Sequence, residues 1–131
     1  MLSEDEVKAA VRGWLTGQGF TVEVAMGRKR GIDVEALHPD GRRWVIEAKA
    51  AVASDQQQGN YFLGALGELL QRMDDPDAIY ALALPSNRRY RGLVRRLPRL
   101  AKQRLGLVVI WVDAGAGSPT VAPEWLVEPK L

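Results

Sequence analysis

The stretch that decides the fold is GIDVEALHPDGRRWVIEAKA, residues 31–50. It contains two strand-like runs, 32–37 and 43–50, on either side of the tetrapeptide His38-Pro-Asp-Gly41. Pro followed by Asp-Gly favours a tight turn, so the whole segment predicts a β-hairpin. Each run nevertheless carries charged residues, which are costly inside a strand unless something compensates them.

Three of these charged residues fall where the hairpin would bring them together. Side chains alternate between the two faces of a strand, so Glu47 and Lys49 share one face of the second strand, and pairing allows Asp33 to approach both. Two close carboxylates repel each other and lose hydration unless a cation lies between them. An oxygen-seeking ion such as Mg²⁺ supplies that cation, and a nearby lysine can orient or deprotonate a water. The hairpin therefore predicts a metal site.

The rest of the chain alternates between helical and strand-like patterns. Ser3, with Glu6 three residues later, forms a capping-box pattern ahead of a first helix. Ser86 is the expected N-cap of a long basic helix, in which Pro98 predicts a bend or a break because it lacks an amide donor. The expected elements are a helix that ends before Gly17, strands at 20–25, 32–37 and 43–50, a helix at 61–73, a strand at 78–84, a helix at 86–105 and a strand at 107–112.

Length and composition limit the class of protein. The 131 residues suit one domain, with a core at about 3–113 and a Gly-Ser-Pro-rich tail at 114–131. The absence of Cys excludes disulfides, thiolate zinc sites and cysteine nucleophiles, and His38, the single histidine, argues against a multi-histidine metal site. There is no apolar run of ~20 residues and the chain starts with acidic residues, so we expect a cytoplasmic protein with no membrane association.

Asp33, followed after 14 residues by Glu47-Ala-Lys49 across a hairpin with a helix on either side, resembles the PD-(D/E)XK nuclease superfamily. The resemblance covers the chain from the first helix to the strand that ends near Val112. It implies an α/β protein of the restriction-endonuclease-like fold: an αβββαβ core with a mixed central sheet flanked by helices, here with an additional C-terminal helix and strand. It also implies hydrolysis of phosphodiester bonds with Mg²⁺ or Mn²⁺.

The resemblance assigns roles to individual residues. Asp33 and Glu47 would bind the metal, the backbone carbonyl of Ala48 would complete its shell, and Lys49 would position the attacking water. Members of the superfamily often add an acid from the first helix, for which Glu4 and Glu6 are the counterparts here. Many also bring a glutamine from the following helix, but the residue after Gly67 is Glu68, with Gln71 one turn further on. The accessory candidates are therefore Glu4, Glu6, Glu68 and Gln71.

Two charged residues of the hairpin have simpler interpretations. Glu35 shares a face with Asp33, and we interpret it as a surface residue paired with Arg43 rather than as a ligand. His38 stands beside a proline in the turn, and no second histidine supports a metal role for it. Without its context, the Glu-x-Lys pattern itself would also fit a solvated strand face.

Two basic segments predict contact with nucleic acid, DNA in preference to RNA. The first is the turn Arg28-Lys29-Arg30, just before Asp33. The second is the stretch from Arg88 to Arg104, which contains seven arginines and one lysine and no acidic residue. From this stretch we select Arg88, Arg91 and Arg95. The alternative to a nuclease is a catalytically silent module of the same fold that binds nucleic acid or a protein partner. The sequence is also compatible with a homodimer.

Overall fold

The computed structural model describes residues 1–25 and 31–127 of the chain. Four helices flank a six-stranded mixed sheet, as the fold class predicted from the sequence requires. The elements are α1 (Glu4–Thr16), β1 (Thr21–Val24), β2 (Val34–Leu37), β3 (Arg43–Ala48), α2 (Asp55–Gln71), β4 (Ile79–Pro85), α3 (Arg88–Arg95), α4 (Arg99–Leu105), β5 (Val108–Asp113) and β6 (Thr120–Trp125).

The strands lie in the sheet in the same order as in the chain. Strands β1, β2 and β3 form an antiparallel meander, and β3, β4 and β5 run parallel to one another. Strand β6 returns antiparallel to β5. The parallel strands are joined by helical crossovers that pack on one face of the sheet, and α1 covers the other face. The centre of β3 is therefore buried between two apolar layers.

Each face of the sheet has its own hydrophobic core. On one face α1 packs Val7, Val11 and Leu15 against the side chains of Val34 and Ile46. On the other face α2 and α3 pack against the alternate residues of the same strands. This second core is formed by Val45, Phe62, Ala65, Leu69, Tyr80, Leu82, Leu84, Tyr90, Val94, Leu107, Val109 and Trp111.

Two local predictions are confirmed and a third, the N-cap of the basic helix, is wrong by one residue. Ser3 and Glu6 form a complete capping box, with the Glu6 amide donating to Ser3 Oγ at 3.1 Å and the Ser3 amide donating to Glu6 Oε1 at 3.0 Å. Pro98 interrupts the long basic segment, which becomes α3 and α4. The N-cap of α3 is Asn87 rather than Ser86, because the Asn87 side chain accepts the amide of Tyr90 at 2.9 Å.

The region expected to be a tail contains a further strand, β6. Pro123 masks its strand pattern, but β6 lies at the edge of the sheet, where a missing amide donor is tolerated. The indole of Trp111 donates to Glu124 Oε1 at 2.8 Å and so ties β6 to β5. The sheet is therefore one strand wider than the sequence pattern indicates.

The loop that follows β3 is held firmly against the second core. The Lys49 amide donates to the carbonyl of Ala83 at 3.1 Å, which extends the pairing of β3 with β4. The buried Tyr90 hydroxyl donates to the Ala50 carbonyl at 2.7 Å. Strand β3 therefore ends in a fixed position beside the start of α2. In the described part of the chain, no helix has the length and apolar character to cross a membrane.

Candidate metal centre

The register of the β2–β3 hairpin brings two acids together. Val34 lies opposite Ile46, and continuing this register by one residue places Asp33 opposite Glu47. The Ala48 amide then donates to Asp33 Oδ2 at 2.9 Å, which fixes the Asp33 carboxylate at the end of β3. The proximity of the two acids, expected from side-chain alternation, is present in the structure.

A third carboxylate reaches the same place from α2. One oxygen each of Asp33, Glu47 and Glu68 lies within 4.8 Å of the other two, and we call these three residues the acid cluster. Glu68 is exposed, Asp33 is half-buried and Glu47 is fully buried, so the cluster opens to solvent on the side of α2. All three offer carboxylate oxygens, the type of ligand that Mg²⁺ and Mn²⁺ prefer.

Glu47 is the least satisfied member of the acid cluster. Its side chain is 0% exposed, and neither of its carboxylate oxygens has a hydrogen-bond partner among the described residues. Burial, followed by the proximity of Asp33 and Glu68, raises the pKa of Glu47 to about 9. A divalent ion would supply the missing partner for these oxygens, so the residues present fit such an ion.

Each acid of the cluster has one cationic side chain nearby. We call Lys8, Lys49 and Arg72 the three cations; they neutralise the cluster in formal charge. Their distances from the carboxylate oxygens exceed those of good charge-assisted hydrogen bonds, so they compensate charge without satisfying the oxygens. The pairs are Asp33 with Lys8 at 3.8 Å, Glu47 with Arg72 at 3.5 Å, and Glu68 with Lys49 at 3.7 Å.

Lys8 is the most deeply buried of the three cations, with 1% of its surface exposed. Its Nζ donates to the Ala25 carbonyl at 2.6 Å and lies 3.0 Å from Glu4 Oε2. Burial acts to lower the pKa of Lys8, but the hydrogen bond to Glu4 and the charge of Asp33 outweigh it and raise the pKa above its ordinary value. Lys8 therefore stays charged.

The accessory candidates are distributed unevenly around the centre. Glu68 lies in the acid cluster, whereas Gln71 is exposed on α2. Glu6 is engaged in the capping box, and Glu4 reaches the centre only through its ion pair with Lys8. For Ala48 the structure shows the amide bonded to Asp33, and the metal role of its carbonyl stays a prediction.

The two residues with simpler interpretations behave as expected. The Arg43 side chain donates to Glu35 Oε2 at 2.7 Å and to Asp75 Oδ2 at 3.0 Å, so Glu35 takes part in a peripheral ion pair. His38 lies in the hairpin turn, where its Nδ1 accepts the amide of Asp40. Neither belongs to the acid cluster.

The basic residues predicted to contact nucleic acid differ in exposure and in the contacts that they already make. The turn Arg28-Lys29-Arg30 lies outside the described residues. Arg88 and Arg95 are exposed. Arg91 stacks 4.3 Å from the centroid of the Trp111 ring and donates to Ser86 Oγ, so its guanidinium is already engaged.

Helix α3 begins close to the loop after β3. Besides the contact of Tyr90 with Ala50, the Asn87 side chain donates to the buried Gln58 at 2.8 Å. Arg89 donates to the carbonyl of Asp55 at 3.0 Å. The first turn of the basic helix is therefore anchored on the segment that joins Lys49 to α2.

Two of the three cations were not recognised in the sequence. Lys8 shares a helical face with Val11 and Leu15, and Arg72 continues the stripe of Phe62, Ala65 and Leu69. A charged residue on an apolar stripe was the available signal, because such a residue must find a buried partner. Their partners come from other elements and cannot be read from helical spacing.

Comparisons with known proteins support the fold. No family model and no curated protein matches the sequence. An fdxN element excision controlling factor protein from Anabaena variabilis aligns with a TM-score of 0.60 and 18% identity, over 94% of this chain and 99% of that chain. An XisH family protein from Nostoc punctiforme aligns with a TM-score of 0.57 and 15% identity, over 92% and 98%.

A third solved structure is the SPO1766 protein of unknown function from Silicibacter pomeroyi. It aligns with a TM-score of 0.51 and 23% identity, over 100% of this chain and 76% of that chain. At these identities the likeness concerns the fold alone. The XisH and fdxN excision proteins belong to a family of the restriction-endonuclease-like fold, which supports this part of the resemblance.

The raised pKa of Glu47 predicts how the stability of the metal-free protein depends on pH. The folded state holds one more proton than the unfolded state between the ordinary value of 4.5 and about 9. The free energy of unfolding should therefore fall as pH rises through this window, by at most about 1.4 kcal/mol per pH unit from this group. Glu47→Gln should remove that fall. Urea unfolding from pH 5 to 9 with a chelator measures it.

The matched control is Glu23→Gln, which changes an exposed carboxylate on β1. This variant should keep the wild-type dependence on pH. If Glu47→Gln and wild type lose stability in parallel as pH rises, Glu47 does not hold the extra proton.

Proposed function

We propose that the protein is a metal-dependent nuclease that hydrolyses phosphodiester bonds in DNA. The observation that carries this proposal is the buried Glu47 carboxylate, whose two oxygens accept no hydrogen bond from any described residue, while two further carboxylates lie within 4.8 Å of it. A protein interior does not retain such a group without compensation. The fold shared with the XisH and fdxN excision proteins is compatible with a nuclease.

The chain's own residues have separate tasks in this proposal. Asp33, Glu47 and Glu68 hold the ion, together with the Ala48 carbonyl. When bound, Mg²⁺ or Mn²⁺ supplies Lewis acidity and lowers the pKa of a water. Lys49 is 18% exposed and lies 3.7 Å from Glu68, so its ammonium can orient that water. The buried β3 fixes Glu47 and so limits where the phosphodiester can be attacked.

Basic residues near the end of β3 support nucleic acid as the substrate. The exposed Arg88 and Arg95 belong to α3, whose first turn is anchored on the segment after Lys49. Arginines without acidic neighbours repel one another, and a phosphate backbone relieves this repulsion. The turn Arg28-Lys29-Arg30 precedes Asp33 in the sequence and is a second candidate for phosphate contact.

One observation favours a second candidate function, a nuclease-fold module that binds nucleic acid without cutting it. The three cations already balance the formal charge of the acid cluster. In a silent module this balance would replace the metal. The two functions differ in whether a divalent ion binds, and the following experiments separate them.

Metal binding should stabilise the folded protein. An ion present at about 100 times its Kd adds about 2.7 kcal/mol of stability because it binds only the folded state. This corresponds to a rise in Tm on the order of 10 °C. Asp33→Asn should abolish most of the rise with Mn²⁺, whereas Asp74→Asn, on an exposed residue, should keep it. Equal shifts for wild type and Asp33→Asn in thermal unfolding would contradict the assignment of the centre.

Cleavage should depend on Lys49. Lys49→Ala should lower Mn²⁺-dependent cleavage about 100-fold or more, because the water loses its positioning group. The same variant should keep the Tm shift with Mn²⁺. Plasmid DNA, linear DNA and single-stranded RNA serve as substrates, with Arg12→Ala, on an exposed residue of α1, as the control. A wild type that cuts none of these substrates would contradict the nuclease, and a wild type that also fails to bind Mn²⁺ would favour the silent module.

The exposed arginines of α3 should contribute to the salt dependence of the nucleic acid binding constant. Replacing Arg88 and Arg95 together by Gln should reduce the slope of log K against log salt by about 2, because each phosphate contact contributes about 0.9. Arg12→Gln, an exposed arginine on α1, should leave the slope unchanged. Fluorescence anisotropy with labelled DNA measures both, and identical slopes for all variants would place the DNA path elsewhere.

A further inference from the structure

The surroundings of Lys8 have the character of a cation site. Three oxygen atoms from three elements or their ends face its Nζ: the Ala25 carbonyl at 2.6 Å, Glu4 Oε2 at 3.0 Å and Asp33 Oδ1 at 3.8 Å. Carbonyl and carboxylate oxygens are also the ligands that Mg²⁺ and Mn²⁺ select. In this structure the ammonium group of Lys8 occupies the position that these three oxygens surround.

Asp33 joins this site to the acid cluster. Its Oδ1 faces Lys8, its Oδ2 accepts the Ala48 amide, and one of its oxygens lies within 4.8 Å of those of Glu47 and Glu68. In two-ion centres the ions lie about 3.5–4 Å apart and share carboxylate ligands. Asp33 is the carboxylate that contacts both the acid cluster and Lys8, so it is the one that a second ion at the position of Lys8 would share.

We infer that the ammonium group of Lys8 permanently fills a second cation site beside the acid cluster, so that the centre takes a single divalent ion. This inference rests on the metal centre of the proposed function and adds the number of ions. It makes Lys8 a positioning residue, because it acts on the ion through Asp33.

Charge balance supports a single ion. The acid cluster and Glu4, the second partner of Lys8, carry four negative charges when ionised, and the three cations carry three positive charges. One divalent ion gives the centre a formal excess of one positive charge, and a second would give an excess of three in a partly buried site. Lys49 and Arg72 are 18% and 34% exposed, so both side chains reach solvent.

Lys8, by contrast, is 1% exposed and does not reach solvent. If its ammonium group left this position, Glu4, Asp33 and the Ala25 carbonyl would all lose their contact with it. A second ion therefore meets a fixed positive charge rather than an open set of ligands.

The number of bound ions tests the inference on the wild-type protein alone. Calorimetric titration with Mn²⁺ should give one ion per chain, and electron paramagnetic resonance should show isolated Mn²⁺ without coupling between ions. Two bound ions with a coupled spectrum would overturn the inference, even if the protein cuts DNA. No bound ion would overturn both this inference and the proposed function.

A pair of variants tests the role of Lys8 directly. Lys8→Ala opens the site and should bind two Mn²⁺ ions with a coupled spectrum, whereas Lys8→Met fills it with an apolar chain and should bind one. Lys102→Ala, the control, should also bind one. If Lys8→Ala folds and still binds a single ion, the inference is wrong; if it is unstable, the wild-type count decides.

The outcome is distinguishable from failure of the proposed function. One Mn²⁺ ion bound without cleavage of any nucleic acid would contradict the nuclease and leave the role of Lys8 intact. Two bound Mn²⁺ ions together with cleavage would support the nuclease and contradict the role inferred for Lys8.

Discussion

A buried carboxylate without hydrogen bonds is the constraint on which the rest of this structure depends. Glu47 sits in a central strand covered on both faces, and its two oxygens have no partner among the described residues. Removing an ionised carboxylate from water costs several kcal/mol even after relaxation of its surroundings. The hairpin, the end of α2 and the first helix all bring groups to this point. The convergence of these groups on Glu47 is explained if Glu47 binds a cation and is not retained for the stability of the fold.

The hairpin and the proximity of its two acids could be predicted from the sequence because both depend on local rules. Alternation along two strands places Asp33 and Glu47 on one face, and the Pro-Asp-Gly turn fixes which residues face each other. The order of helices and strands then follows from periodicity, and the predicted fold class is the one observed. The pairing of Glu35 with Arg43 is also local, since the two residues lie across the same hairpin.

The contributions of Lys8 and Arg72 could not be predicted in the same way. Each meets its acid only after a helix has docked on the sheet, and the docking geometry is not a property of the helix sequence. Strand β6 was missed for a different reason. Pro123 breaks the strand pattern, and only its position at the sheet edge makes the proline acceptable. Long-range packing decided all three cases.

The placement of the centre along the chain has a consequence for folding. The acid cluster and the three cations, six residues in all, lie in the segment from Lys8 to Arg72. The burial of Glu47 nevertheless requires β4, which is synthesised after this segment and pairs with β3 in parallel. Parallel pairing needs a helical crossover and closes late, because its contacts are distant in sequence. A nascent chain thus carries every residue of the acid cluster and of the three cations before it can arrange them. The acid cluster therefore assembles in its buried form only once β4 has paired with β3.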